Sequence, residues 1–383
     1  MRFLLIQSVF ILVLTAGCSV DKTSKNLIDK PGNKYVLELD KHIQIRVDST
    51  TNTQKYVQLI NVNDTEYLVA YQPGEKVTEF HIFDFTEGLL VSKIAYLKDG
   101  PNGFGNINSF ATFYSFSRIL LSQVNSNIFF LTDSSGQVLR KIDLSVKVKE
   151  NIYPMASFPA IIQGNNLYSF ILQNYNPSFN SNTSPEIIYN LETGTITFSP
   201  IRYPNYPKSF SNSIEVWKSS RCLGPDGSFV YSFAFDNNLY ELKEGSIIKH
   251  YIPNSHFDPH LEPGNIDLAD MGDQMRFIAK KGLYTYLFYD SYRHLYYRVF
   301  LMPGEPTDPD GKIIMNTERS FKIELINEDF ELVGETVFEG TKYNPYRIMI
   351  SKQGLVLGKG SYLNPISDEY YDFQIFRIRN LNL

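Results

Sequence analysis

Cysteine, tryptophan, clustered basic residues and helix-period segments are all scarce in this chain, and each shortage removes a class of protein. Among 383 residues the only cysteines are Cys18 and Cys222, so no framework of intramolecular disulfides can hold the chain together. Cys222 reads as a small buried apolar residue. The formal net charge is -5 with Lys and Arg scattered, which leaves no electrostatic footprint for nucleic acid. No Ser-His-Asp or Cys-His arrangement can be picked out, so any triad would have to be assembled from distant loops. The most glycine-dense stretch, "DGPNGFGN" from Asp99 to Asn106, lacks the Lys-Ser/Thr pair and the helical pattern that a phosphate-cradling loop needs. It reads as a connection between strand units, with Pro101 and Gly103 around Asn102 suited to a tight turn. "GPDG" from Gly224 to Gly227 does the same further along.

What is present in quantity is aromatic and β-forming. A single Trp stands against 28 Phe and 26 Tyr, and the chain is 43% hydrophobic. Tyr, Phe, Ile and Val recur in short runs broken by Gly, Pro, Asn and Ser, which is the balance of an all-β protein with a large core. At the N-terminus Arg2 precedes "FLLIQSVFILVL", too short for a transmembrane helix, and "TAGC" follows. Thr15, Ala16 and Gly17 before Cys18 look like a bacterial lipobox, in which the thiol is lipidated and the chain is cut so that Cys18 becomes the first residue. An ordinary secretory signal with a chance cysteine is the alternative. The division expected is a signal peptide over 1–17, a polar flexible tether over 18–33 and one domain over 34–383. Several acyl chains on Cys18 would anchor that domain firmly to a membrane, placing it in the cell envelope at the outer membrane.

Internal repetition then sets the architecture. Five segments share an apolar run, a polar turn with Gly or Asn/Asp, and a second apolar run: "EFHIFDFTEGLLVSKIAY", "IFFLTDSSGQVLRKIDL", "EIIYNLETGTITFSPI", "NLYELKEGSIIKHYIP" and "FKIELINEDFELVGETVF". Each reads as a β-hairpin, and strand-like runs precede them, giving antiparallel four-stranded units spaced roughly 50 to 80 residues apart. Such units predict a β-propeller, whose radial arrangement protects strand edges. The N-terminal "YVLELDKHIQIRV" has no hairpin partner, and the C-terminal "YYDFQIFRIRNL" stops after one strand. Together they would complete a sixth blade, closing the ring with strands from both termini. Seven blades, or a pair of β-sandwiches, are the alternatives.

The lipobox, "DGPNG" ahead of the second unit, "YDSYRHLYYR" from Tyr289, "INEDFELVGET" from Ile326 and "GLVLG" from Gly354 together resemble a group of Bacteroidota envelope lipoproteins, the domain-of-unknown-function 4221 family. The resemblance covers most of the mature chain. It implies a six-bladed β-propeller and an envelope address, and it implies no activity. The residues after Cys18, "SVDK", contain one acid where surface-exported members of the group often carry an acidic run, so the periplasmic and surface faces both stay open.

Three constellations could carry chemistry. In "HFDPHLE", His256, Asp258, His260 and Glu262 alternate as metal ligands on a strand would, but Pro259 and Pro263 break any regular strand, and a polar connecting loop is the plainer reading. In "TDPDGK", Asp308, Asp310 and Gly311 mimic the start of a calcium loop, yet Arg319 stands where the bidentate acid belongs, so this is a turn. In "YDSYRHLYYR", Tyr289, Tyr297, Arg293 and Arg298 supply the flat faces and guanidinium forks that bind sugars, carboxylates or peptides. Inter-blade arginine struts are the alternative. The expected ligand face therefore combines Asp99, Asn102, His256, Asp258, His260 and Glu262 with Tyr289, Arg293, Tyr297 and Arg298, without metal, cofactor or catalytic residue. The function favoured is a non-catalytic binding or interaction scaffold for a glycan, peptide or envelope protein. A hydrolase or lyase acting on glycans or a small lactone or ester, and a structural partner of an outer-membrane assembly, are the alternatives.

Overall fold

The computed structural model describes residues 34–100, 103–172, 183–206, 218–258, 270–308, 310–360 and 367–381. The described chain is all-β apart from one short helix and one turn of 3-10 helix. After β1 (Tyr35–Arg46) the strands fall into antiparallel groups in chain order. Group I is β2 (Val57–Val62), β3 (Thr65–Pro73), β4 (Val77–Asp84) and β5 (Leu90–Leu97). Group II is β6 (Thr112–Ser115), β7 (Arg118–Ser122), β8 (Ile128–Thr132) and β9 (Val138–Asp143). In group III β10 (Asn151–Ile152) and β11 (Ile161–Gln163) both pair with β12 (Asn166–Leu172), which continues to β13 (Glu186–Asn190) and β14 (Ile196–Phe198). Group IV is β15 (Ser219–Leu223), β16 (Phe229–Phe233), β17 (Asn238–Lys243) and β18 (Ser246–Tyr251).

The remaining strands form one eight-stranded sheet made of two halves. Group V is β19 (Leu283–Asp290), β20 (Leu295–Leu301), β21 (Phe321–Asn327) and β22 (Leu332–Phe338). Group VI is β23 (Tyr343–Ser351), β24 (Gly354–Lys359), β25 (Tyr370–Asn380) and the N-terminal β1. Within VI, β1 runs antiparallel to β25 from Tyr35↔Asn380 to Arg46↔Tyr370, whereas it meets β22 of V at the single parallel pair Tyr35↔Gly334.

Turn chemistry explains the repeat. Asn63 and Asp64 between β2 and β3 both have positive φ (51° and 64°), as do Glu244 and Gly245 between β17 and β18 (50° and 77°), the signature of tight hairpins that follow the strand twist. The third-to-fourth turns of groups I to III use one device. Asp84, Asp133 and Asn190 each accept two main-chain N–H groups, from Thr86 and Glu87, Ser135 and Gln137, and Glu192 and Thr193. A glycine at left-handed φ follows each: Gly88 (69°), Gly136 (82°) and Gly194 (68°).

Each group packs its apolar face on the next. Phe80, Ile82 and Tyr96 of I meet Ile119, Leu121 and Phe130 of II and Phe104 of the connection between them, and Leu120 and Phe129 of II meet Leu167 and Ile187 of III. The last group closes on the first, with Ile45, Tyr371 and Phe373 of VI against Leu68, Phe83 and Phe85 of I. The first strands of neighbouring groups touch (β2 with β6 and β23, β15 with β19), while the fourth strands β5, β9, β14 and β18 are largely exposed. First strands thus lie inside and fourth strands outside.

The helix α1 (Met271–Lys281) has no counterpart in the sequence reading. Asp270 caps it by accepting from the Asp273 N–H at 2.8 Å, and Gly282 (φ 72°) ends it with its N–H on the Ile278 carbonyl. Eleven residues with Phe277, Ile278 and Ala279 as the buried face are too few to show a period against a strand-rich background.

Candidate functional site

The inner strands bring half-buried aromatic rings from four groups together. Tyr56, just before β2, lies 6.1 Å from Phe110, just before β6. On β19, Tyr286 and Phe288 alternate onto one face and stack at 5.4 Å, and Tyr286 meets Tyr346 of β23 at 6.0 Å. Burial, and next the neighbouring Tyr286, push the Tyr56 hydroxyl well above its ordinary range, and burial raises that of Tyr286. Both are protonated phenols at neutral pH. Gln58 follows Tyr56 on the same face of β2, is 7% exposed, and donates from Nε2 to the Ala111 carbonyl at 2.9 Å.

The inner strands are tied together at their far ends. Asn61 Nδ2 donates to the Tyr292 hydroxyl at 2.8 Å, linking the first hairpin of I to that of V. Between them Arg293 donates to the carbonyls of Ser351 and Lys352 in VI, at 3.0 and 2.8 Å. The aromatic cluster lies toward the opposite ends of the strands, where the connections between groups arrive.

A second constellation copies the order of a hydrolytic triad. Thr51 Oγ1 is 2.6 Å from His81 Nδ1, and His81 Nε2 is 2.9 Å from Glu79 Oε2. Thr51 and His81 are buried, however, and the threonine hydroxyl donates to Asp48 Oδ1 at 2.7 Å. The Lys93 ammonium, 2.6 Å from Asp48, holds that carboxyl well below the usual carboxylate range, so it stays an acceptor. With its proton engaged and no open side, Thr51 is a brace for the loop before β2 and not a nucleophile. Among the described residues no three His, Cys, Asp or Glu side chains gather as a metal site requires.

A family model described as "Domain of unknown function (DUF4221)" matches residues 34–337. The chain belongs to this family. A crystal structure of a DUF4221 member from Bacteroides vulgatus aligns with a TM-score of 0.79 at 21% identity, covering 91% of this chain and 100% of that one. A crystal structure of a protein from Bacteroides fragilis described as exported aligns with a TM-score of 0.55 at 12% identity, covering 91% of this chain and 96% of that one. At these identities the likeness establishes the fold alone. No curated protein matches the chain.

In this DUF4221 member the residues singled out from sequence do not share one face. Asp99 is exposed in the connection from β5 to β6, and Asn102 lies outside the described residues. His256 and Asp258 sit in the connection from β18, where Asp258 pairs with Lys281, and His260 and Glu262 lie outside the described residues. Arg293 belongs to the β19–β20 turn, at the other end of the strands. Antiparallel order forces this separation, because a first-to-second turn and an inter-group connection fall at opposite ends.

Arg298 corrects the expectation of a surface ligand group. It is fully buried, with Nε on Ser232 Oγ at 2.8 Å, Nη1 on the Asn237 carbonyl at 3.0 Å and its guanidinium 3.3 Å from the centre of the Tyr284 ring, so it ties V to IV. Arg293 bonds Asp290 at 2.6 Å besides the two carbonyls of VI, and Tyr297 donates to the same Asp290 at 3.0 Å. These are struts. Tyr289 donates to the exposed Glu328 Oε1 at 2.5 Å. "TDPDGK" is the expected turn, Asp308 accepting from the N–H groups of Asp310 and Lys312. The aromatic cluster escaped sequence reading because its members lie in four separate segments; the alternation of Tyr286 and Phe288 was the one local signal.

Proposed function

We propose that the chain is a lipid-anchored envelope protein with six propeller blades, groups I to VI, that binds a ligand without catalysis in the central funnel. The observation that carries this reading is the cluster of Tyr56, Phe110, Tyr286, Phe288 and Tyr346, drawn from four groups to the inner strands. Half-buried rings with protonated hydroxyls offer flat apolar platforms and neutral hydrogen bonds, the equipment for gripping ring-bearing ligands such as a glycan or a peptide. Consecutive packing of the groups, the last against the first, supports counting the two halves of the eight-stranded sheet as separate blades. The lipobox at Cys18 supports the anchor, and either face of the outer membrane suits it.

Tyr286→Ala and Tyr346→Ala should each weaken capture on glycan and peptide arrays by about 1 to 3 kcal/mol, with melting temperatures that keep the protein folded at assay temperature. Undiminished capture by both variants removes the funnel as the site. Turnover of an arrayed glycan or of a lactone by the wild type would shift the reading to the hydrolase or lyase. Metabolic palmitate labelling tests the anchor separately: wild type should be labelled and Cys18→Ala not, and equal labelling of the two would discard it.

A further inference from the structure

The funnel holds polar groups that the protein leaves without partners. Gln58 Oε1 is buried and accepts no hydrogen bond, although its own amide nitrogen is fixed on the Ala111 carbonyl and so sets the orientation of the group. The hydroxyls of Tyr56 and Tyr286 have no hydrogen-bond partner among the described residues. These three groups belong to one neighbourhood: Tyr56 and Gln58 share a face of β2, Phe110 touches Tyr56 while Ala111 next to it holds Gln58, and the two phenols lie close enough to interact electrostatically. Two phenols open to solvent and without a protein partner, set beside aromatic faces, suit a ligand that brings hydroxyls of its own.

Charge is directed elsewhere. Arg347, beside Tyr346 in sequence, donates to the Thr53 and Lys55 carbonyls at 2.7 and 3.4 Å, and Arg319, which interacts with Tyr346 in space, donates to the Ala279 and Met302 carbonyls at 3.0 and 2.5 Å. Both guanidiniums are thus engaged by main chain instead of being offered to an anion.

We infer that the funnel ligand is a neutral saccharide, its ring face against Tyr286, Phe288 and Tyr346 and its hydroxyls on the phenols of Tyr56 and Tyr286. This rests on the binding reading above and names the ligand class for the same site. An acidic sugar would bring a carboxylate to a place with neutral donors only.

The test uses the full-length protein on one array carrying neutral oligosaccharides, uronic-acid oligosaccharides and short peptides, with titration calorimetry on the best neutral oligosaccharide. Tyr56→Phe and Tyr286→Phe remove only a hydroxyl and keep the ring. Each should lower affinity for that oligosaccharide about tenfold while leaving the melting temperature unchanged, since no protein hydrogen bond is lost. Affinity equal to wild type in both phenylalanine variants overturns the hydroxyl contacts. Capture of peptides or uronic-acid oligosaccharides alone, still sensitive to Tyr286→Ala, overturns the saccharide class and leaves the funnel as the binding site. No capture of anything overturns both.

Discussion

A chain beginning at Lys34 should melt at the same temperature as the longer one, whereas a chain beginning at Val47 should lose several kcal/mol, enough to unfold a marginal domain. The second truncation removes β1, which pairs with β25 along its whole length and buries Val36, Leu37 and Ile45. Without it β25 becomes an open edge, and Phe376, packed in the core beside Leu37, is uncovered. The Lys34 main chain also bonds Val333 and Leu381, so the loss reaches group V. Thermal melting followed by circular dichroism reads the difference directly. Equal midpoints for the two truncations would show that β1 closes nothing.

The second large effect is expected at a buried ion pair between groups III and IV. Arg221 of β15 is fully buried between the rings of Phe158 and Phe229, 4.5 and 4.6 Å from their centres, and pairs with Glu186 of β13. Tyr231 donates to the second Glu186 oxygen at 2.7 Å, and the Pro159 carbonyl accepts from Arg221. Burial pulls the guanidinium down to about 10, still charged at neutral pH. Glu186→Leu therefore strands a cation among aromatic rings and should cost about 3 to 5 kcal/mol in urea unfolding. The double variant Glu186→Leu with Arg221→Met removes both charges and should recover much of that loss. A single variant within about 1 kcal/mol of wild type would mean that the pair contributes almost nothing.

The strands were legible in the sequence because their turns were. "DFTEG", "DSSG" and "NLETG" each set an Asx side chain three or four residues before a left-handed glycine in successive units, and a local signal of that kind survives reading without coordinates. The pairing of "YVLELDKHIQIRV" with the last strand was legible for another reason, since both runs lacked a hairpin partner. Site residues were not. Tyr56, Gln58, Phe110, Tyr286 and Tyr346 meet only because the first strands of successive groups lie beside one another, and no short-range spacing encodes that meeting. "YDSYRHLYYR" misled in the opposite direction. Its arginines have the composition of a binding surface, but Arg298 alternates inward on β20, and only burial distinguishes a strut from a ligand group.

The pairing of β1 with β25 also fixes when folding can finish. Val36 finds its partner at Arg379, so the first strand among the described residues lacks its antiparallel mate until nearly the last one is available. Groups I to V can form hairpins from local contacts as they emerge, but the step joining the ends spans nearly the whole chain and must bear the loop-closure entropy of that separation.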